Sequence, residues 1–111
     1  MEIKKVGVVG CGLMGSGIAE VAARGGYDVV VAEVNQEFLD SGMKRLNSSL
    51  DRAVKKGKME AQEREAIAGR LKGTIDMNDF NDRDLVIEAV IENLEILLLD
   101  LPGKVSLNRI L

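Results

Sequence analysis

Three glycines in six residues, Gly10-x-Gly12-x-x-Gly15, lie between a short β-branched run and a stretch of helical spacing. Each can do a separate job. The first permits a tight turn, the second lets backbone approach a pyrophosphate, and the third lets a helix pack closely on the preceding strand. A helix starting there offers free N–H groups and the positive end of its dipole to phosphate. Because 12 glycines in 111 residues produce such spacings by chance, the context carries the weight: a strand before, a helix after, and an acid ending the next strand. That acid is Glu33, at the customary distance of about 20 residues. Its carboxylate can accept hydrogen bonds from the hydroxyls of an adenosine ribose and would repel a 2′-phosphate, which points to NAD over NADP. The simpler alternative is a solvated charge at a strand end.

Cys11 lies inside the turn. A thiol near a helix N-terminus can be reactive, although no partner base is visible and a small space-filling side chain is the plainer reading. Farther on, Arg45, Ser49, Arg52 and Lys56 follow at spacings of 4, 3 and 4. They fall within ~60° of one another on a helical wheel, roughly 120° from its apolar stripe. Three cations and a hydroxyl suit a phosphorylated ligand; a solvated helix face is the alternative. Ala89, Val90 and Glu92 stand where another strand exits, and Glu92 suits either a cofactor ribose or the start of a helix. The chain has no histidine, which excludes His-based metal sites, His general bases and Ser-His-Asp triads within it.

The elements that must position these residues read as α/β. Val6–Val9 forms a buried strand, Leu13–Arg24 a helix with Met14, Ile18, Val21 and Ala22 at helical spacing, and Val29–Ala32 a second strand. Together they make a βαβ unit. Asn35 caps the next helix, with Val34 and Leu39 as a hydrophobic staple. Leu39, Met43, Leu46, Leu50, Ala53 and Val54 line one face until Gly57 stops it. The pattern predicts a further helix over Met59–Ala68, a weak strand over Gly73–Asp76, a polar turn over Met77–Asp84, and a strand over Leu85–Val90. Leu94–Leu101 starts a helix that Pro102-Gly103 stops. The fold expected is a Rossmann-like, doubly wound parallel sheet with a helical insertion after the second strand.

The length fits one domain with a real core. At 46% hydrophobic and 30% charged, the chain is too apolar for disorder. A net charge of −3 and 3% aromatic residues argue against a nucleic-acid partner. No apolar run approaches the ~18 residues of a membrane span, and no signal peptide is visible, so the expected compartment is the cytoplasm. A single cysteine agrees with a reducing environment.

The run from Val6 through Gly10-Cys-Gly-Leu-Met-Gly15-Ser-Gly-Ile-Ala19 closely resembles the opening of the 3-hydroxyacyl-CoA dehydrogenases, and Asp84-Leu-Val-Ile-Glu-Ala-Val-Ile-Glu-Asn-Leu94 resembles that family's fourth strand and exit. The resemblance covers about residues 3 to 96. It implies that the loop of Gly10, Cys11, Gly12, Leu13, Met14 and Gly15 holds the pyrophosphate of NAD. It further implies that Glu33 meets the adenosine ribose and that Glu92 lies at the cofactor beside Ala89 and Val90. Ser49 and Lys56 match positions that contact the coenzyme A of an acyl-CoA substrate.

Two departures stand out. A cofactor-binding lysine is expected near position 97, where this chain has Leu97, and residues 97–111 do not resemble the family's continuation. The family's catalytic histidine and its glutamate partner, together with a dimerising helical domain, lie beyond the match. Residues 1–96 therefore read as an NAD-binding domain and 97–111 as an atypical tail, the whole being a truncated, catalytically incomplete half of a homodimeric parent. Two alternatives stay open: a stand-alone nucleotide-binding module, and another Rossmann enzyme such as a methyltransferase, whose S-adenosylmethionine ribose Glu33 would also suit.

Overall fold

The computed structural model of the chain describes residues 2–90 and 93–98. The order is β1 (Lys5–Val9), α1 (Leu13–Arg24), β2 (Asp28–Ala32), α2 (Gln36–Lys55), α3 (Ala61–Gly69), β3 (Leu71–Thr74), a 3-10 turn (Met77–Phe80), β4 (Leu85–Val90) and β5 (Asn93–Leu98). The strands form one sheet in the order β3-β2-β1-β4-β5. The first four are parallel, with Val8 opposite both Val31 and Ile87. The chain steps outward from β1 through β2 to β3 and then returns to the other side of β1. The order thus reverses between β1 and β4, where open α/β sheets bind ligands at the carboxyl ends of their strands.

Period-2 alternation divides the strand residues between two faces. Val6, Val8, Val29, Val31 and Leu71 pack with Ala19, Ala23, Leu46, Leu50 and Ile67 from the three helices. Val30, Ala32 and Val86 share the opposite face with Phe80. There Gly7 lies in register between Val30 and Val86. The room left by its missing side chain is filled by the Phe80 ring and the Arg83 stem, which would stand 3.0 and 3.2 Å from an added Cβ.

The Arg83 guanidinium, buried at the amino ends of the strands, donates to the Asp28 carbonyl and carboxylate at 3.1 and 2.8 Å. It also grips both carboxylate oxygens of Asp82 at 3.0 and 3.1 Å, tying the entry to β4 across β1 to β2. The sheet is thereby fastened at the end away from the glycine loop.

Four expectations need correction. The buried face of α1 is Gly15, Ser16, Ala19 and Ala23; of the expected stripe, Ile18 and Ala22 pack half-buried against the core, while Met14 and Val21 face outward, Val21 being 71% exposed. Small residues win because they bring the helix axis close to the sheet, an advantage a hydrophobicity pattern does not register. Asn35 does cap α2, its Oδ1 accepting from Phe38 N–H at 2.9 Å, but Val34 is 81% exposed and staples nothing. The third strand starts two residues early, because Leu71 is the buried residue and Ile75 lies outside. Leu94–Leu101 does not start a helix: Asn93–Leu98 runs antiparallel to β4, with Leu97 opposite Val86. The free edge of β4 offers unpaired backbone groups, and a short apolar run satisfies them as a strand.

Candidate functional site: the first crossover

β1 ends at Val9, and Gly10 turns the chain with φ +97°, a left-handed conformation that suits glycine. Its N–H is held by the Ala32 carbonyl at 2.8 Å. A Cβ here would lie 2.5 Å from the Ala89 carbonyl oxygen, so residue 10 must be glycine for the loop to sit against β4. Gly15 is tighter still. Its missing Cβ would overlap the Gly10 carbonyl, which is how the first turn of α1 seats directly on the end of β1. Gly12 differs from both: no atom lies within 4 Å of its missing side chain, so it faces open space.

Gly12 is also the N-cap of α1. It provides no side-chain cap, and the first turn holds no acidic residue. The first intrahelical bond runs from Ser16 N–H to Gly12 C=O at 2.9 Å, leaving the amides of Leu13, Met14 and Gly15 without an intrahelical partner. By contrast, α2 has the Asn35 cap and Glu37 in its first turn. The first turn of α1 therefore carries neither a side-chain cap nor an acid of its own, and it lies beside the β1–β4 crevice.

Glu33 leaves the end of β2 and reaches back to the loop. Its Oε2 accepts from Cys11 N–H at 2.8 Å and its Oε1 from Val34 N–H at 3.0 Å. Each oxygen keeps a lone pair, so the carboxylate is held in place with acceptor capacity in hand. The Cys11 side chain turns away from the crevice and is only 2% exposed, packed where an added Gly42 Cβ would collide with it. Burial pushes its thiol pKa up to about 11; the charge of Glu33 adds to this and that of Arg45 opposes it. The residue fills space and is not an activated nucleophile.

Ala89 packs under the loop, near Gly10 and Gly15. Val90 ends β4, and Glu92 lies outside the described residues. Along α2, Arg45, Ser49 and Arg52 line one wall of a groove of about 140 Å³ whose other wall is Leu13, Ser16, Gly17 and Glu20 of α1. Lys56 is not on that wall; it caps the helix, seven residues beyond Ser49. A larger depression of about 510 Å³, with Tyr27 and Arg70 in its lining, lies at the amino ends of β1 and β2. It is remote from the loop and shares none of its geometry, so its size does not make it the site.

Two features escaped the sequence reading. Arg45 donates from Nη1 to the Cys11 carbonyl at 3.1 Å, so the first member of the basic stripe is engaged with the loop. Gly42 lets α2 touch that loop. A glycine inside a 20-residue helix, where it costs ~1 kcal/mol relative to alanine, was the available signal for such an approach.

Residues 5–97 match the family model described as 3-hydroxyacyl-CoA dehydrogenase, NAD binding domain. A 3-hydroxybutyryl-CoA dehydrogenase of Mycobacterium tuberculosis is 52% identical over 91 residues, covering 82% of this chain and 32% of that protein. The crystal structure of FadB2 from the same species superimposes with a TM-score of 0.81 at 50% identity, over 84% of this chain and 33% of the other. The (S)-3-hydroxybutyryl-CoA dehydrogenase of Ralstonia eutropha gives a TM-score of 0.79 at 38% identity, over 83% and 32%. The chain thus spans about a third of the length of these relatives.

Proposed function

Since the chain belongs to the NAD-binding-domain family of the 3-hydroxyacyl-CoA dehydrogenases, we propose that it is the cofactor-holding part of an oxidoreductase acting on a 3-hydroxyacyl-CoA such as 3-hydroxybutyryl-CoA, in fatty-acid or butanoate metabolism. The carrying observation is the glycine loop: Gly10 and Gly15 occupy spaces a Cβ would fill, while Gly12 opens outward at an uncapped helix start. That cradle fits a pyrophosphate.

In this reading the amides of the Gly10–Gly15 loop, through Leu13 and Met14, hold the two phosphates. Glu33 receives the adenosine ribose hydroxyls and sets NAD above NADP. Ala89 floors the crevice beneath the loop, and by the family resemblance Val90 and Glu92 are assigned to cofactor contacts beside it. Ser49 and Lys56 approach the coenzyme A of the substrate. Bound NAD supplies the hydride-accepting ring for oxidation at the 3-hydroxyl carbon. No residue here can act as a histidine base, because the sequence contains no histidine. We assign that proton transfer to a part outside this chain, along with the dimer contacts of the whole enzyme. We also take residues 97–111 as a departure from the family pattern, and the cytoplasm as the compartment.

The test is calorimetric titration of the 111-residue chain with NAD⁺ and NADP⁺. NAD⁺ should bind, NADP⁺ at least tenfold more weakly, and Glu33→Ala should erase most of the difference. Equal affinity for the two cofactors would refute the role of Glu33. Turnover of acetoacetyl-CoA with NADH by this chain alone would refute catalytic incompleteness.

A further inference from the structure

The peptide unit between Cys11 and Gly12 has glycine on its downstream side and Gly10 one residue upstream, so little local steric cost opposes its rotation. Its orientation matters, because a trans peptide is planar and its C=O and N–H point in opposite directions. Fixing the Cys11 carbonyl therefore fixes the Gly12 N–H. In the structure that carbonyl accepts from Arg45 Nη1 at 3.1 Å. The preceding amide, Cys11 N–H, is fixed independently by Glu33 Oε2 at 2.8 Å, and the Cys11 side chain by its seat against Gly42. Residue 11 is thus held from β2 on one side and from α2 on the other.

We propose that Arg45 is a positioning residue for the phosphate-binding loop: by holding the Cys11 carbonyl it aims the Gly12 amide at the cofactor crevice. The inference rests on the NAD-binding reading given above. Two effects act together. The hydrogen bond prevents the Cys11–Gly12 peptide from flipping, so less orientational freedom is lost when an anion arrives. A cation on the carbonyl also polarises the peptide and makes its N–H a better donor. Arg45 achieves this from the long helix that carries Ser49, so the loop and the α1–α2 groove share one side chain.

The experiment compares the full chain with Arg45→Leu, Arg45→Lys and, as a charge-matched control on the adjacent residue of α2, Lys44→Leu. NAD⁺ and ADP-ribose are titrated calorimetrically, and adenosine, which lacks phosphate, by NMR. Arg45→Leu should weaken NAD⁺ and ADP-ribose about tenfold, which is about 1.4 kcal/mol, and leave adenosine unchanged. Arg45→Lys should recover part of the loss, and Lys44→Leu should stay within twofold of the parent. NAD⁺ binding by Arg45→Leu within twofold of the parent would overturn the proposal. So would an equal loss of adenosine, which would mark general damage to the fold. In ligand-free protein the Gly12 amide resonance should shift and broaden in Arg45→Leu. An unchanged resonance overturns the proposal even where the parent binds no NAD⁺, an outcome that would separately defeat the functional reading.

Discussion

Gly15 and Gly17 lie two residues apart in α1, and alanine at each should move stability in opposite directions. At either position alanine removes the conformational freedom that glycine carries in the unfolded chain, a gain of ~0.5–1 kcal/mol within a helix. At Gly17 nothing opposes the gain, since no atom lies within 4 Å of the new Cβ. Gly17→Ala should therefore raise the melting temperature by ~3–6 °C, using ~4–8 °C per kcal/mol for a domain near this size. At Gly15 the new Cβ would stand 2.8 Å from the Gly10 carbonyl carbon and closer still to its oxygen. Both partners are backbone, one at the end of β1 and one in the first turn of α1, so neither can rotate away. Overpacking costs ~1–3 kcal/mol, and a backbone clash belongs at the upper end. The net for Gly15→Ala is a loss of ~2 kcal/mol, or ~8–16 °C. Thermal and urea unfolding of both variants, followed by NAD⁺ titration, reads the contrast. Should the loop yield instead of the helix, the loss would appear in NAD⁺ affinity. A Gly15→Ala protein that matches Gly17→Ala in stability and the parent in NAD⁺ binding would refute the packing argument.

Gly12→Ala should leave the unfolding free energy within ~1 kcal/mol of the parent yet reduce NAD⁺ affinity more than tenfold by calorimetry, because its Cβ enters open space that the phosphates need. Cys11, with its thiol pKa raised to about 11 by burial, should resist iodoacetamide at pH 8 in the folded chain and react promptly in urea, as counted by mass spectrometry. The Asp82 carboxyl, held at about 2 chiefly by its hydrogen bonds to Arg83, supplies stability that is present above its ordinary 3.8 and lost as pH falls from there toward about 2. Asp82→Asn should be less stable than the parent at pH 6 in urea melts, with the gap closing below pH 3.

The sequence shows clearly whatever is encoded by neighbours in the chain. Gly10 closes β1, Gly25-Gly26 stops α1, and Asn35 starts α2, each through local backbone chemistry that a string of letters displays. Leu39, Leu46 and Leu50 repeat with a helical period and are each buried. What stayed hidden was decided by the approach of distant elements. The inner face of α1 is made of glycine, serine and alanine, so Met14 and Val21 mimic a core stripe while facing outward. β5 takes its form from the edge of β4, which its own six residues do not specify. The same division runs through the site. The glycine spacing and Glu33 are legible, but the bonds from Glu33 and Arg45 to the two sides of residue 11 exist only once β2 and α2 have closed on the loop.

The contact between Gly42 and Cys11 limits what can be transplanted. Grafting Gly10–Gly15 alone onto a foreign scaffold would import the glycines without the helix that roofs residue 11 or the guanidinium that steadies its carbonyl. The smallest portable cassette runs from Lys5 through the third turn of α2, because only there does the loop bring its own clamp. Within that cassette positions 11 and 42 must be varied as a pair, since bulk added at either has nowhere to go unless the other gives it up.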